Sequence, residues 1–207
     1  MDTTVFLLRH GATDWARDRR ILGQRDIGLN ADGLNEAHAA ALALKALDVS
    51  EVIASPLLRT VQTAEVIAGL FDLEVARDPR LGEIQVGRWE GMPYDALKAD
   101  PEYLRFMEAP EAVRFPGGER LADVRDRALA SVMQALADNP WGSTMVLVTH
   151  ASIIRVLLAH YLGTSLGNFH RLRVSAGAFS VLRFADDRDL PRILAVNHLS
   201  TMSSLLA

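Results

Sequence analysis

The chain has 207 residues, of which 49% are hydrophobic, and its 22 Lys and Arg against 26 Asp and Glu give a net charge of −4. This length suits one large domain or two small ones, and the apolar content is sufficient for a full core. The absence of cysteine excludes disulfides, thiolate metal ligands and a cysteine nucleophile. The mild acidity gives no reason to expect nucleic-acid binding, although locally placed arginines could hold a small anion.

Neither a secretion signal nor a membrane span is evident. Residues 1–4 lack the basic flank and the long apolar core of a signal peptide. No apolar run approaches the roughly 20 residues that cross a bilayer. We therefore expect a cytoplasmic protein that does not associate with membranes.

Strand-like and helix-like segments alternate from the start of the chain. Residues 4–9 contain the continuous apolar run of a buried strand, and the polar, arginine-rich residues 12–29 predict a loop. Asn30 is a suitable N-cap for a helix rich in Ala and Leu that continues to about Leu47.

The same alternation continues through the next fifty residues. Residues 52–54 predict a short second strand, and Ser55 with Pro56 predicts the cap and first turn of a helix that runs to about Phe71. Residues 73–75 predict a third strand.

The second half of the chain begins with an irregular segment, residues 78–118, in which short helices are predicted near 94–107. We interpret this segment as an insertion that covers the active site at one edge of the sheet. The elements predicted after it are an amphipathic helix over 119–138, a strand over 144–149, a helix over 152–162, and closing strands over 174–175, 178–184 and 192–197 with a turn at Asp186 and Asp187.

This order of elements favours an α/β architecture. We predict a single domain over residues 1–207, a three-layer sandwich in which helices flank a mainly parallel central sheet. In such sheets ligands bind at the carboxyl ends of the strands.

Charged and nucleophilic side chains follow two of the predicted strands directly. Arg9-His10-Gly11 comes after the first strand, and His150 comes after the strand over 144–149. In an extended strand Arg9 points away from His10, and a turn at Gly11 would relax that alternation. Arg59 lies in the first turns of a helix, whose N-terminus adds partial positive charge.

These residue types match the needs of phosphoryl transfer through histidine. Such a mechanism requires an unprotonated imidazole as nucleophile, preorganised donors for the phosphoryl oxygens, and a carboxylic acid that protonates the leaving oxygen and then activates water. Arginine suits the second task because its planar, charged fork binds two oxygens. For these three tasks the chain offers one set of candidates each. His10 is the candidate nucleophile, Arg9, Arg59 and His150 are candidate donors, and Glu83 in the irregular segment is the candidate acid.

Several stretches resemble the histidine phosphatase superfamily, in its phosphoglycerate-mutase-like branch, and they follow the family's order along the chain. They are residues 8–15 (LRHGATDW), 26–33, 55–64 (SPLLRTVQTA), 81–91 (LGEIQVGRWEG), 116–119 (PGGE), 149–151 (THA) and 197–199 (NHL).

The resemblance implies a metal-independent phosphatase, a hydrolase of small phosphorylated metabolites, with a phosphoglycerate-mutase-like fold. It implies that His10 is transiently phosphorylated, that Arg9, Arg59 and His150 form the phosphate pocket, and that Glu83 is the proton donor. The further phosphate-binding positions that it implies are Gly11, Thr13, Gly23 and Ala151.

Two departures from the family pattern remove polar groups from the phosphate pocket. Ala16 stands where asparagine is usual, and Leu22 stands where glutamine is frequent. We expect altered substrate preference or weaker activity rather than loss of the phosphoenzyme. The same departures support an alternative, a non-catalytic phosphometabolite-binding pseudoenzyme.

A second alternative is phosphoryl transfer of the phosphoglycerate mutase type. The short segment 92–115 carries three basic residues against five acidic ones, which favours hydrolysis of a less charged or partly apolar substrate over a mutase reaction. Its side chains Phe106, Met107, Val113 and Phe115 are candidates either for an apolar substrate pocket or for plain packing. The oligomeric state stays open, with a homodimer as one option.

A metal site is the least favoured interpretation of the candidate site residues. His10, His150 and Glu83 together form a set known from zinc sites. The spacing lacks a short His-x-x-His element, and the nearby arginines would repel a cation. We therefore expect neither a metal nor an organic cofactor.

Overall fold

The computed structural model describes residues 2–185 and 190–199. The strands found in these residues are β1 (Thr3–Arg9), β2 (Glu51–Ala54), β3 (Val75–Arg77), β4 (Thr144–Thr149), β5 (Phe179–Phe184) and β6 (Arg192–His198). The α-helices are α1 (Asp14–Arg17), α2 (Ala31–Leu44), α3 (Leu58–Leu70), α4 (Tyr94–Leu97), α5 (Pro101–Glu108), α6 (Leu121–Asp138) and α7 (Ala151–Tyr161). Short 3-10 helices occupy Pro79–Leu81, Gly87–Trp89, Pro110–Ala112 and Leu166–Arg171.

The six strands form one sheet in the order β3-β2-β4-β1-β5-β6. The pairs β3-β2, β2-β4 and β4-β1 are parallel, whereas β5 runs antiparallel to both of its neighbours. The sheet is therefore mixed, with the parallel strands together on one side. In the parallel β1-β4 pair, Arg9 lies opposite Thr149, so the residues that follow these two strands leave the sheet side by side.

Helices cover both faces of the sheet, and alternation along β1 divides the core between them. Val5 and Leu7 pack in a cluster with residues of α6 and α7, whereas Leu8 packs with residues of α2 and α3. These are the two apolar layers of an α/β sandwich, and they confirm the predicted fold class. No helix within residues 2–185 and 190–199 combines the length and the apolar character needed to cross a membrane.

The structure corrects the predicted start of the helix that carries Arg59. α3 begins at Leu58 and its N-cap, Leu57, makes no side-chain hydrogen bond, so the predicted cap at Ser55 and first turn at Pro56 are wrong. Ser55 is instead fully buried after β2, with its hydroxyl 2.8 Å from Nε2 of His150. The Ser55 side chain, which the local sequence assigns to helix capping, therefore makes a tertiary contact instead.

The third strand begins two residues later than predicted. Asp72 adopts a left-handed backbone conformation, and the N–H of Leu73 donates to the carbonyl of Ala68 at 3.0 Å. These residues therefore close the end of α3, and pairing with β2 starts only at Val75.

Residues 174–175 do not form the predicted strand. The carbonyl of Val174 accepts from the side chain of Arg9, and the N–H of Ser175 donates to the side chain of Asn197. These two backbone groups are therefore bonded to side chains and not to a neighbouring strand. Within the predicted loop over 12–29 the structure adds the short helix α1, and the predicted turn at Asp186 and Asp187 lies outside the described residues.

Candidate active site

His10 follows β1 and is almost fully buried, with 3% of its surface exposed. Its Nδ1 lies 2.7 Å from the carbonyl oxygen of Gly11. Because a carbonyl oxygen can only accept, Nδ1 carries the proton and Nε2 keeps its lone pair. Burial, and then the positive charges of Arg59 and Arg9, hold the pKa of His10 well below the usual 6.5. The imidazole is therefore neutral and nucleophilic at neutral pH.

Gly11 allows the chain to turn away from the sheet immediately after His10. Its N–H donates to Oγ1 of Thr63 on α3 at 3.2 Å, and a Cβ at this position would clash with the backbone of Gly33. The turn places Arg9 and His10 on the wall of the same cavity. The alternation of a regular strand would have separated them.

Two arginines bring buried positive charge to this cavity. Nη1 of Arg9 donates to the carbonyl of Val174 at 2.7 Å. Arg59, with no exposed surface, donates from Nη1 to the carbonyl of Arg25 at 2.7 Å and from Nη2 to that of Gly23 at 2.9 Å. Burial lowers the pKa of Arg59 to about 10 and also lowers that of Arg9. Arg59 therefore stays cationic at neutral pH.

His150 lies beside His10 because β1 and β4 run in parallel register, and the two ring centroids are 5.2 Å apart. Nε2 of His150 is hydrogen-bonded to the hydroxyl of Ser55. Burial, followed by the charge of Arg59, holds the pKa of His150 well below its usual value. His150 is not part of the cavity wall, and its link to the cavity is its ring contact with His10.

Three buried nitrogen atoms in these side chains have no hydrogen-bond partner among residues 2–185 and 190–199. They are Nε of Arg9, Nε of Arg59 and Nδ1 of His150. A buried polar group left without a partner costs about 1–3 kcal/mol, so such groups are seldom gathered in one place. Together with two guanidinium charges, these unpaired nitrogens fit a tetrahedral oxyanion such as phosphate.

Glu83 lines the same cavity and is held there through its backbone. Arg127 on α6 donates to the carbonyls of Arg80 (2.6 Å), Gly82 (2.7 Å) and Glu83 (3.2 Å), and the amide of Gln24 also donates to the Glu83 carbonyl. Oε1 of Glu83 accepts from the N–H of Ile84 at 2.8 Å. In the part of the chain that the structure describes, Oε2 has no partner, so a carboxylate oxygen is available to a substrate.

Comparison with known proteins places this geometry in a family. The model of the histidine phosphatase superfamily (branch 1) matches residues 5–198. The chain belongs to the histidine phosphatase superfamily.

The named relatives of this chain include a probable mutase as well as phosphatases. The chain is 36% identical over 172 residues to a probable phosphoglycerate mutase, GpmB, of Yersinia enterocolitica, which covers 82% of this chain and 80% of the relative. It is also similar to a mycobacterial glucosyl-3-phosphoglycerate phosphatase in complex with VO3 (29% identity, TM-score 0.84, 94% of this chain and 98% of that one). A phosphoserine phosphatase mutant of Entamoeba histolytica in complex with phosphoserine matches at 26% identity and a TM-score of 0.85, over 94% and 96% of the two chains.

The other phosphate-binding positions implied by the resemblance divide into two groups. Gly23 and Ala151 line the cavity. Ala151 is also the first residue of α7, where backbone N–H groups lack partners within the helix. Thr13 is buried and its Oγ1 accepts from the N–H of Ala16 at 3.2 Å, so it caps α1. Neither Thr13 nor Gly11 is part of the cavity wall.

The two departures from the family pattern also differ in their effect. Leu22 lines the cavity and contributes apolar surface, whereas Ala16 does not line it. The neighbouring Gln24 does not replace the missing amide, because its side chain is bonded to the carbonyl of Glu83. The polar side chains at the His10 end of the cavity are thus Arg9, Arg59, His10 and Glu83.

The whole cavity has a volume of about 390 Å³, and most of the residues that line it beyond Arg9, His10, Arg59 and Glu83 are apolar or aromatic. Of the candidates from the irregular segment, Phe106, Met107 and Phe115 line it and Val113 does not. Cavity residues that the sequence analysis did not single out include Ile84, Trp89, Tyr94, Tyr103, Ser152, Arg155 and Phe169.

Three polar residues near the site were missed by the sequence analysis, and two of them had a usable signal. Ser152 and Arg155 lie one and four residues after Ala151, the spacing of one helix face, so α7 presents all three to the cavity. Ser55 had no such signal, because its contact with His150 joins residues 95 positions apart. Within the described residues, no group of three or more His, Cys, Asp or Glu side chains is arranged to hold a metal ion.

Proposed function

We propose that this histidine phosphatase hydrolyses small phosphomonoesters through a phosphohistidine formed at Nε2 of His10. The main support for this proposal is that buried nitrogens of Arg9, Arg59 and His150 lack hydrogen-bond partners, while the imidazole of His10 is neutral. A phosphoryl group supplies the oxygens that these nitrogens lack, and His10 supplies the nucleophile.

In the first step the lone pair on Nε2 of His10 forms a bond to phosphorus while the bond from phosphorus to the ester oxygen breaks. Glu83, in its protonated form, transfers its proton to the departing oxygen, so an alcohol or phenol leaves. The hydrogen bond from Nδ1 to the Gly11 carbonyl stabilises the positive charge that develops on the ring. Arg9 and Arg59 neutralise the phosphoryl oxygens.

In the second step the Glu83 carboxylate takes a proton from water, and the resulting hydroxide attacks phosphorus. The bond between phosphorus and nitrogen breaks, its electron pair returns to Nε2 of His10, and orthophosphate leaves. Both steps use residues of this chain alone, which is the basis for proposing a reaction that needs no metal.

The apolar wall of the cavity suits a leaving group that is partly apolar. Trp89 packs edge-to-face against Tyr103 and Phe115, with ring centroids 5.6 and 5.5 Å apart, and Phe106 packs on Phe115 at 4.8 Å. Apolar burial of the alcohol or phenol adds binding energy without requiring further polar groups. We propose small phosphorylated metabolites of this kind as substrates.

The direct test is hydrolysis of p-nitrophenyl phosphate at mildly acidic pH, compared with a His10→Ala variant. We expect turnover by the wild-type protein and a loss of activity to near background in the variant. Label from a ³²P-phosphomonoester should appear on the wild-type protein in an acid-labile form. Equal turnover by both proteins would rule out the mechanism, and loss of activity with a strong chelator would rule out its metal independence.

Mutase activity is the second candidate, and the 36% identity to a probable phosphoglycerate mutase favours it. A mutase must protect its phosphohistidine from water long enough to return the phosphoryl group to the bound intermediate. Interconversion of phosphoglycerates, measured beside phosphate release, separates the two. Phosphate release that exceeds interconversion under the same conditions supports the hydrolase.

A further inference from the structure

A third arginine, Arg155, lines the cavity from α7, a different element from those that carry Arg9 and Arg59. Arg155 lies one turn after Ala151 on α7, which places its Cα about 6 Å further along the helix axis. It shares the cavity wall with Phe169 and Tyr103. Neither step of the proposed reaction requires this charge.

The guanidinium of Arg155 is held in place by groups that leave its charge unneutralised. Nε donates to the carbonyl of Leu172 at 2.8 Å, and Cζ lies 5.2 Å from the centroid of the Phe169 ring. Within residues 2–185 and 190–199, Arg155 forms no ion pair, and its two terminal nitrogens have no hydrogen-bond partner. They therefore keep the bidentate donor geometry that matches a carboxylate.

The charges on the cavity wall exceed what one phosphoryl group needs. Arg9, Arg59 and Arg155 line it together with a single carboxylate, Glu83. The acidic residues of segment 92–115 do not offset them, because the side chains that this segment contributes to the wall are Tyr94, Tyr103, Phe106, Met107 and Phe115. The charge balance of that segment therefore does not describe the substrate's surroundings.

We propose that Arg155 binds a carboxylate on the leaving group, and that the preferred substrates are phosphomonoesters whose alcohol or phenol carries a carboxylate beyond a short apolar spacer. The inference rests on the proposed function for the placement of the phosphoryl group at His10. The phosphoryl end then meets Arg9 and Arg59, the spacer lies against the aromatic wall, and the carboxylate reaches Arg155. This proposal departs from the expectation of a less charged substrate and keeps its apolar part.

Binding of two non-hydrolysable probes tests this without requiring turnover. 4-Carboxybenzylphosphonate and its carboxylate methyl ester share the phosphonate and the ring, and differ in the charge that would meet Arg155. By calorimetry we expect the wild-type protein to bind the carboxylate about 30-fold more tightly than the ester, as for a hydrogen-bonded ion pair. Arg155→Met should remove this preference, and Arg155→Lys should restore part of it.

Arg105→Met is the matched control, because Arg105 is an exposed arginine outside the cavity, and it should keep the wild-type preference. The proposal is overturned if the wild-type protein binds both probes equally, or if the preference survives in Arg155→Met. An equal loss for both probes in Arg155→Met would also overturn it, since that result shows a structural role. Failure to hydrolyse p-nitrophenyl phosphate would instead contradict the proposed function and leave the binding comparison valid.

Discussion

Replacing Arg59 with methionine separates the stability of the empty site from its affinity for an anion. Burial lowers the pKa of Arg59 from the usual arginine value to about 10, and a shift of that size corresponds to about 3 kcal/mol of unfavourable free energy for keeping the charge. Methionine removes this cost. It also removes the hydrogen bonds to the carbonyls of Gly23 and Arg25, which contribute about 1.5–3 kcal/mol each. The two effects oppose each other, so we expect the anion-free variant to lose at most about 3 kcal/mol.

The response to phosphate should change much more clearly. Orthophosphate at 100 times its dissociation constant stabilises a protein by about 2.7 kcal/mol, and a 100-fold weaker affinity reduces this to about 0.4 kcal/mol. We expect at least that loss of affinity, because Arg59 brings both charge and an unpaired Nε to the site. The measurement is urea unfolding, followed by the fluorescence of the buried Trp89, in orthophosphate and in sodium chloride of equal ionic strength.

Two outcomes would refute this reasoning. Phosphate that still stabilises Arg59→Met by more than about 2 kcal/mol, at the concentration used for the wild-type protein, would show that Arg59 does not bind the anion. A loss of more than about 5 kcal/mol in chloride alone would show that Arg59 is mainly structural, since the hydrogen bonds would then outweigh the cost of its burial. The exposed Arg105→Met variant controls for a general effect of removing an arginine.

Three further measurements test other parts of the site. Glu83→Gln should lower kcat by about two to four orders of magnitude for an alkyl phosphate and much less for p-nitrophenyl phosphate, because only the poor leaving group needs a proton; equal losses would contradict the assigned role. Ser55→Ala should reduce kcat/KM by about tenfold by removing the hydrogen bond to His150, with a near-native circular dichroism spectrum; unchanged kinetics would show that this bond does not position the ring. The free energy of unfolding should fall as the pH drops below 6.5, since His10 and His150 stay neutral when folded and bind protons when unfolded. The decrease from pH 7 to 5.5 is at most about 1.3 kcal/mol per histidine, and the decrease in a His10→Gln variant should be about half of the total for the two histidines. A variant with the same pH dependence as the wild-type protein would contradict the assigned protonation.

The amino-acid sequence by itself predicts the family and the fold class, because the signals for both are local. The apolar runs before Arg9 and before His150 predict strands without reference to the rest of the chain. The Asn30 cap and the apolar stripe of α6 do the same for helices, and the structure confirms both. The residues proposed for catalysis can be named for a related reason, because they directly follow these elements or lie in short contiguous motifs.

Which polar groups meet is decided by the tertiary structure. Local sequence assigns Ser55 to a helix cap, yet its hydroxyl is hydrogen-bonded to His150, 95 residues later in the chain. Arg127 holds the backbone beside Glu83 from a helix more than forty residues later in the chain. A hydrophobic period records which face of an element is buried. The partner of a polar side chain depends instead on how distant elements pack, and no local pattern of residues specifies that.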